Sequence, residues 1–119
     1  MIKVSILKDN DVIKNVIIDG HSGYSEAGSD IVCASVSSIC ITTVNALIRI
    51  DSSCIDYNDK DGHLEVDIKK HSNTIDILIE NMLNLLMELE KDYKKYIKIE
   101  IRSMKAKEFC KKFMENRHL

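Results

Sequence analysis

Proline is absent from this chain and glycine is scarce, and three of its four glycines (Gly20, Gly23 and Gly28) fall in one short polar stretch. Glycine lets the backbone take positive φ or swing as a hinge, so GHSGYSEAG reads as a glycine-bounded loop. The next residues, SDIVCASVSS, read as the start of a helix, with Ser29 or Asp30 as its cap. With Asp30 as N-cap, Cys33 is the third helical residue and sits in the first turn. A polar loop that carries His21 beside a thiol at a helix start has little packing rationale.

It has a chemical one. The thiolate is the nucleophile of cysteine enzymes, and helix N-termini favour negative charge on sulfur. An imidazole that can close over the sulfur supplies the general base. His21 and Cys33 are therefore the candidate dyad, with Gly20, Gly23, Tyr24 and Gly28 in a mobile loop that orders when a peptide binds. Tyr24 and Ser25 are candidates to line the groove, and backbone N–H groups around Cys33 to form the oxyanion hole.

Two neighbours have two readings each. Asp30 is a helix cap or the carboxylate that orients His21. Ser37, one turn beyond Cys33, donates to the substrate or bonds back to the helix carbonyl at 33. The bland alternative for Cys33 itself is core packing, the usual fate of a cysteine. Cys40, Cys54 and Cys110 lack its setting and read as core or surface thiols; His63 and His71 read as solvated turn residues. No C-x2-C or H-x3-H pair is present, so neither a metal site nor a cofactor is expected.

Taken in order, residues 2–7 alternate as a half-buried strand, Asp9-Asn10-Asp11 is a turn, and VIKNVIID returns as a second strand whose buried face the pattern leaves open. The helix from Asp30 runs to about residue 50. Its uncharged run, Ile31 to Ile48, is long enough to cross a bilayer, but its serines, threonines and asparagine favour a central buried helix over a membrane span. A second hairpin spans residues 54–69, with a turn at Asn58 to Gly62. Ser72 or Asn73 opens a helix with the stripe Ile75, Leu78, Ile79, Met82, Leu85, Leu86 and Leu89. Tyr96 to Arg102 is a last strand with Ile97, Ile99 and Ile101 inward.

The order ββαββαβ is an α+β domain of two layers, helices on one sheet, over residues 1–102. Residues 103–119 are expected to add a short C-terminal helix. Six basic residues against two acidic ones from Arg102 onward make that tail positive, without the aromatic interleaving of a nucleic-acid surface. The whole chain carries −2, which gives no general pull toward nucleic acid or anionic lipid. No signal peptide is visible, so a cytoplasmic protein with reduced thiols is expected.

The run Gly20-His21-x-Gly23-Tyr24-x-x-x-Gly28-x-Asp30-Ile31-Val32-Cys33-Ala34-x-Val36-Ser37 resembles the signature of the ribosomal-processing cysteine protease family, Prp. The flanks agree: the opening hairpin, Asn45-Ala46, the Gly62-His63 hairpin and the Met82-Leu83 helix. The resemblance implies a cytoplasmic, homodimeric cysteine endopeptidase. Its substrate would be a large-subunit ribosomal protein whose N-terminal extension it removes. It makes His21 the base and Cys33 the nucleophile, with Asp30 and Ser37 at the positions of the family's supporting aspartate and serine. The tail beyond about Arg102 has no counterpart in the pattern. The competing class is a non-catalytic, ribosome-associated binding module in which Cys33 is merely packed.

Overall fold

The first hairpin shows how this sequence chooses its inner face. In the computed structural model, which describes residues 1–20 and 27–104, β1 (Ile2–Asp9) and β2 (Val12–Asp19) pair antiparallel. Asn10 and Asp11 make the turn between them at φ 50° and 63°, a left-handed conformation that short polar side chains tolerate. The register slips between Leu7 and Lys8: Leu7 faces Asn15, but Lys8 faces Ile13. The slip leaves Lys14 as the extra residue of a bulge. Ile13 and Val16 are thereby both turned inward, three residues apart, in a strand where strict alternation would separate them. This resolves the face that the sequence pattern left open.

After residue 20 the chain enters α1 (Ala27–Ile50), then a second hairpin of β3 (Ile55–Lys60) and β4 (His63–Ile68). α2 (Asn73–Asp92) and β5 (Ile97–Ser103) complete the ββαββαβ order. The sheet runs β3-β4-β2-β1-β5; β5 lies parallel to β1 and every other pair is antiparallel. Each helix is thus a crossover between parallel strands that are not neighbours: α1 joins β2 to β3 across β4, and α2 joins β4 to β5 across β2 and β1. Val32, Val36, Cys40 and Leu47 of α1 and Ile75, Ile79, Met82 and Leu86 of α2 share one core with Val4, Ile6, Val16 and Val66 of the sheet. The expected α+β architecture is what forms.

Several details differ from the expectation. α1 begins at Ala27, a turn early, so Gly28 is its second residue and neither Ser29 nor Asp30 is its cap. α1 is also not buried all round. Ile31, Ile41 and Ile50 are each about half exposed, and Ile41 lines the groove described below. By length and composition alone, Asp30–Ile50 would suffice to cross a membrane, but its inner residues belong to the core. Cys40 and Cys54 are buried in that core, as expected of packing thiols.

In α2 the buried stripe includes Leu83, while Leu85 is exposed; a step of four from Ile79 to Leu83 keeps the stripe over the sheet. Ser72 caps this helix, its Oγ accepting from the Ile75 N–H at 3.2 Å. In β5 burial fades along the strand: Ile97 is buried, Ile99 half-buried and Ile101 exposed. The strand runs through Ser103, and the Met104 N–H donates to the Lys8 carbonyl at 2.7 Å. The expected C-terminal helix falls on residues 105–119, outside the described residues.

Candidate active site

The second hairpin builds one wall of the site. Its turn is only two residues, Asp61-Gly62, with Gly62 at φ 72°. Asn58, Asp59 and Lys60 therefore belong to β3 rather than to a long turn. Polar residues are tolerated there because β3 is an edge strand. His63 becomes the first residue of β4, half-buried and paired across strands with Asp19, not a solvated turn residue. An Asp-Gly dipeptide between two strand runs was the signal that could have placed it.

Gly20, the residue before His21, stands at the end of this wall. It adopts φ +96°, and a Cβ built on it would lie 2.6 Å from the Met1 carbonyl oxygen, closer than van der Waals contact permits. Its N–H donates to the Gly62 carbonyl at 2.9 Å and to Asp19 Oδ1 at 3.1 Å. Only glycine fits both the conformation and the close approach. Gly20 is therefore pinned at the sheet end and is not a free hinge.

The other wall is α1. Cys33 and Ser37, one helical turn apart, line a cavity of about 290 Å³ whose far side is formed by Gly20 and by residues Asp59 to Leu64. Cys33 is half-buried and Ser37 exposed. Ser37 makes no bond back to a helix carbonyl among the described residues, whereas Thr43, further along α1, does so to Ile39 at 2.9 Å. Its hydroxyl is available to a ligand in the groove.

Because α1 starts at Ala27, Cys33 is the seventh helical residue and lies in the second turn. Two expectations change. The field of a helix end falls off within its first turn, and Cys33 stands beyond that turn. The unpaired N–H groups also belong to the first turn, so the backbone at Cys33, inside the helical ladder, is not a ready oxyanion hole. Asp30, three residues earlier, is exposed, lies within the first turn, and is not among the residues lining the cavity. There its charge favours the helix start.

Cys40 stands two turns beyond Cys33 and is 1% exposed at the base of the groove. Burial pushes its thiol from an ordinary 9.0 up to about 12. Burial, then the nearby Asp51 carboxylate, likewise raise Cys54, whose thiol donates to the Leu47 carbonyl at 3.5 Å. Neither is a nucleophile at neutral pH. His21, Gly23, Tyr24 and Ser25 lie outside the described residues, as does the ordering of their loop on peptide binding. Among the described residues, no group of three or more His, Cys, Asp or Glu could hold a metal ion.

Comparison with known proteins meets this geometry. The sequence pattern of the family described as cysteine protease Prp matches residues 1–98. The ribosomal processing cysteine protease Prp of Staphylococcus aureus is 33% identical over 103 residues, covering 83% of this chain and 97% of its own length. Its counterpart in Bacillus subtilis is 27% identical over 107 residues, covering 83% and 96%. Among solved structures, the S. aureus protease in complex with a substrate peptide superposes with a TM-score of 0.79 at 30% identity, covering 86% of this chain and all of that one. The same enzyme with a covalently linked product peptide gives 0.78 at 31% identity, with the same coverage.

Proposed function

This chain belongs to the Prp family of cysteine proteases, and from that premise we propose that it removes the N-terminal extension of a large-subunit ribosomal protein, with Cys33 as nucleophile and His21 as base. The observation that carries the reading is the groove. It places Cys33, alone among the cysteines of the described residues, half-open beside a cavity lined on its far side by backbone and polar groups.

In the mechanism, a peptide lies along the groove between α1 and the β3–β4 turn. The Cys33 sulfur attacks the scissile carbonyl carbon and its proton passes to His21, which begins one residue beyond the pinned Gly20. The carbonyl π pair moves to oxygen, and the Ser37 hydroxyl donates to that oxyanion, a role the ladder-bound backbone leaves to a side chain. Collapse of the intermediate expels the amine, which takes the proton from His21. Water then gives a proton to His21 and attacks the thioester, the thiolate leaves and takes that proton back from His21, and the acid product is released. Asp30 supports the site by favouring the helix start.

A homodimer is part of the proposal, and the half-exposed Ile31 and Ile50 of α1 are apolar surface available to a second copy. The substrate implies a cytoplasmic enzyme with no nucleic acid or membrane partner. The test is cleavage of the organism's own extended ribosomal protein, read by N-terminal sequencing, with wild type, Cys33→Ala and His21→Ala. Trimming by wild type and none by the folded variants supports the reading. Binding of the extended protein without trimming would make the chain a ribosome-associated binding module instead.

A further inference from the structure

The two histidines of the described residues outside the dyad have opposite surroundings. His71 is engaged at both ring nitrogens: Nδ1 lies 2.8 Å from Asp76 Oδ1, and Nε2 lies 3.4 Å from Lys14 Nζ. It ties α2 to β2 and has no nitrogen to spare. His63 has Nδ1 3.3 Å from Asp19 Oδ1 and, among the described residues, no hydrogen bond or ion pair at Nε2. His63 also lines the cavity opposite Cys33 and Ser37.

Its position is fixed by the strands. Asp19 and His63 are direct cross-strand partners in the β2–β4 register, and the Gly20–Gly62 backbone bond closes the ladder just beyond them. An ionised carboxylate only accepts, so in the tautomer whose Nδ1–H faces Asp19 the acceptor is Nε2. A peptide in the groove offers one backbone N–H per residue and must meet acceptors on the wall it touches. We infer that His63 binds the substrate: Nε2 accepts a hydrogen bond from a backbone N–H of the peptide, and Asp19 is the positioning residue that sets the ring's tautomer. This rests on the protease reading above and adds to it a recognition residue on the wall opposite the nucleophile.

The test is steady-state cleavage, by the full chain, of a peptide spanning the extension junction of that ribosomal protein. His63→Ala should raise KM about tenfold while kcat changes by less than about twofold, the signature of lost uniform binding. His63→Gln, whose Oε1 can accept, should recover most of that loss. Asp19→Asn should raise KM by about threefold, since it weakens the tautomer preference without removing the ring. The affinity of the same peptide for Cys33→Ala should fall about tenfold when His63→Ala is added. An unchanged KM in folded His63→Ala, with wild type active, overturns the His63 role alone. Equal impairment of the Ala and Gln variants also overturns it, because the side chain would then be acting by packing. If wild type cleaves nothing and Cys33→Ala binds no peptide, the protease reading fails and this inference falls with it.

Discussion

Cys33 and Cys40 lie two turns apart on one side of one helix, yet they have opposite surroundings. Cys33 is half-buried on the rim of a groove, while Cys40 is 1% exposed at its base, its thiol pushed up to about 12 by burial alone. The difference does not lie in the residue or in the helix dipole, since both cysteines are beyond the first turn. It lies in what covers each sulfur. Over Cys40 the sheet and helices close; beside Cys33 the two-residue Asp61-Gly62 turn stops the sheet short and leaves space for a chain. What Cys33 has and Cys40 lacks is open space beside it, where the sheet ends.

Breaking the comparison at its strongest point, Cys33→Ala should lower kcat by at least about a thousandfold with little change in stability. Cys40→Ala should do the reverse: cleavage persists, and unfolding free energy falls by about 1–2 kcal/mol for the buried atoms lost, measured by urea titration. Gly20→Ala perturbs the wall rather than either sulfur. With φ +96° and a Cβ 2.6 Å from the Met1 carbonyl, it should cost about 1–3 kcal/mol and reduce cleavage with it.

The pH dependence of stability sharpens the contrast further. The folded thiol of Cys40 is raised above its unfolded value, so between 9.0 and about 12 the unfolded chain has lost a proton that the folded chain keeps. Stability is fully present below pH 9 and falls as pH rises; Cys54, also raised, acts in the same direction. Urea midpoints should drop from pH 8 to pH 10.5, and less steeply in Cys40→Ala. Ser37→Ala should lower kcat by about ten- to a hundredfold, with KM nearly constant, if its hydroxyl holds the oxyanion.

Alternating residues made the strands legible, and Ser72 with its apolar stripe made α2 legible. What could not be read depended on context. Lys14 becomes a bulge only because Ile13 and Val16 both need the core. Gly28 reads as loop on propensity, yet it is absorbed as the second residue of a 24-residue helix whose packing outweighs about 1 kcal/mol of glycine cost. Leu83 rather than Leu85 turns inward because the sheet, not the sequence stripe, sets the helix rotation. In the site, Cys33 and Ser37 share the groove as their spacing suggested, while the start of α1 moved Asp30 off the cap and Cys33 out of the first turn. His63 is hidden in the sequence because Asn58 to Gly62 reads as one long turn, when the edge strand takes the first three of these residues.

The most direct test of the claim that Cys33 is the nucleophile is covalent trapping. A peptide covering the residues before the cleavage site, ending in a chloromethyl ketone at the scissile position, is incubated with the full chain at pH 7.5 and the adduct mapped by peptide mass spectrometry. The account predicts one adduct, on Cys33, and none in Cys33→Ala. An adduct carried by Cys40, Cys54 or Cys110, or equal labelling of all four, would contradict it.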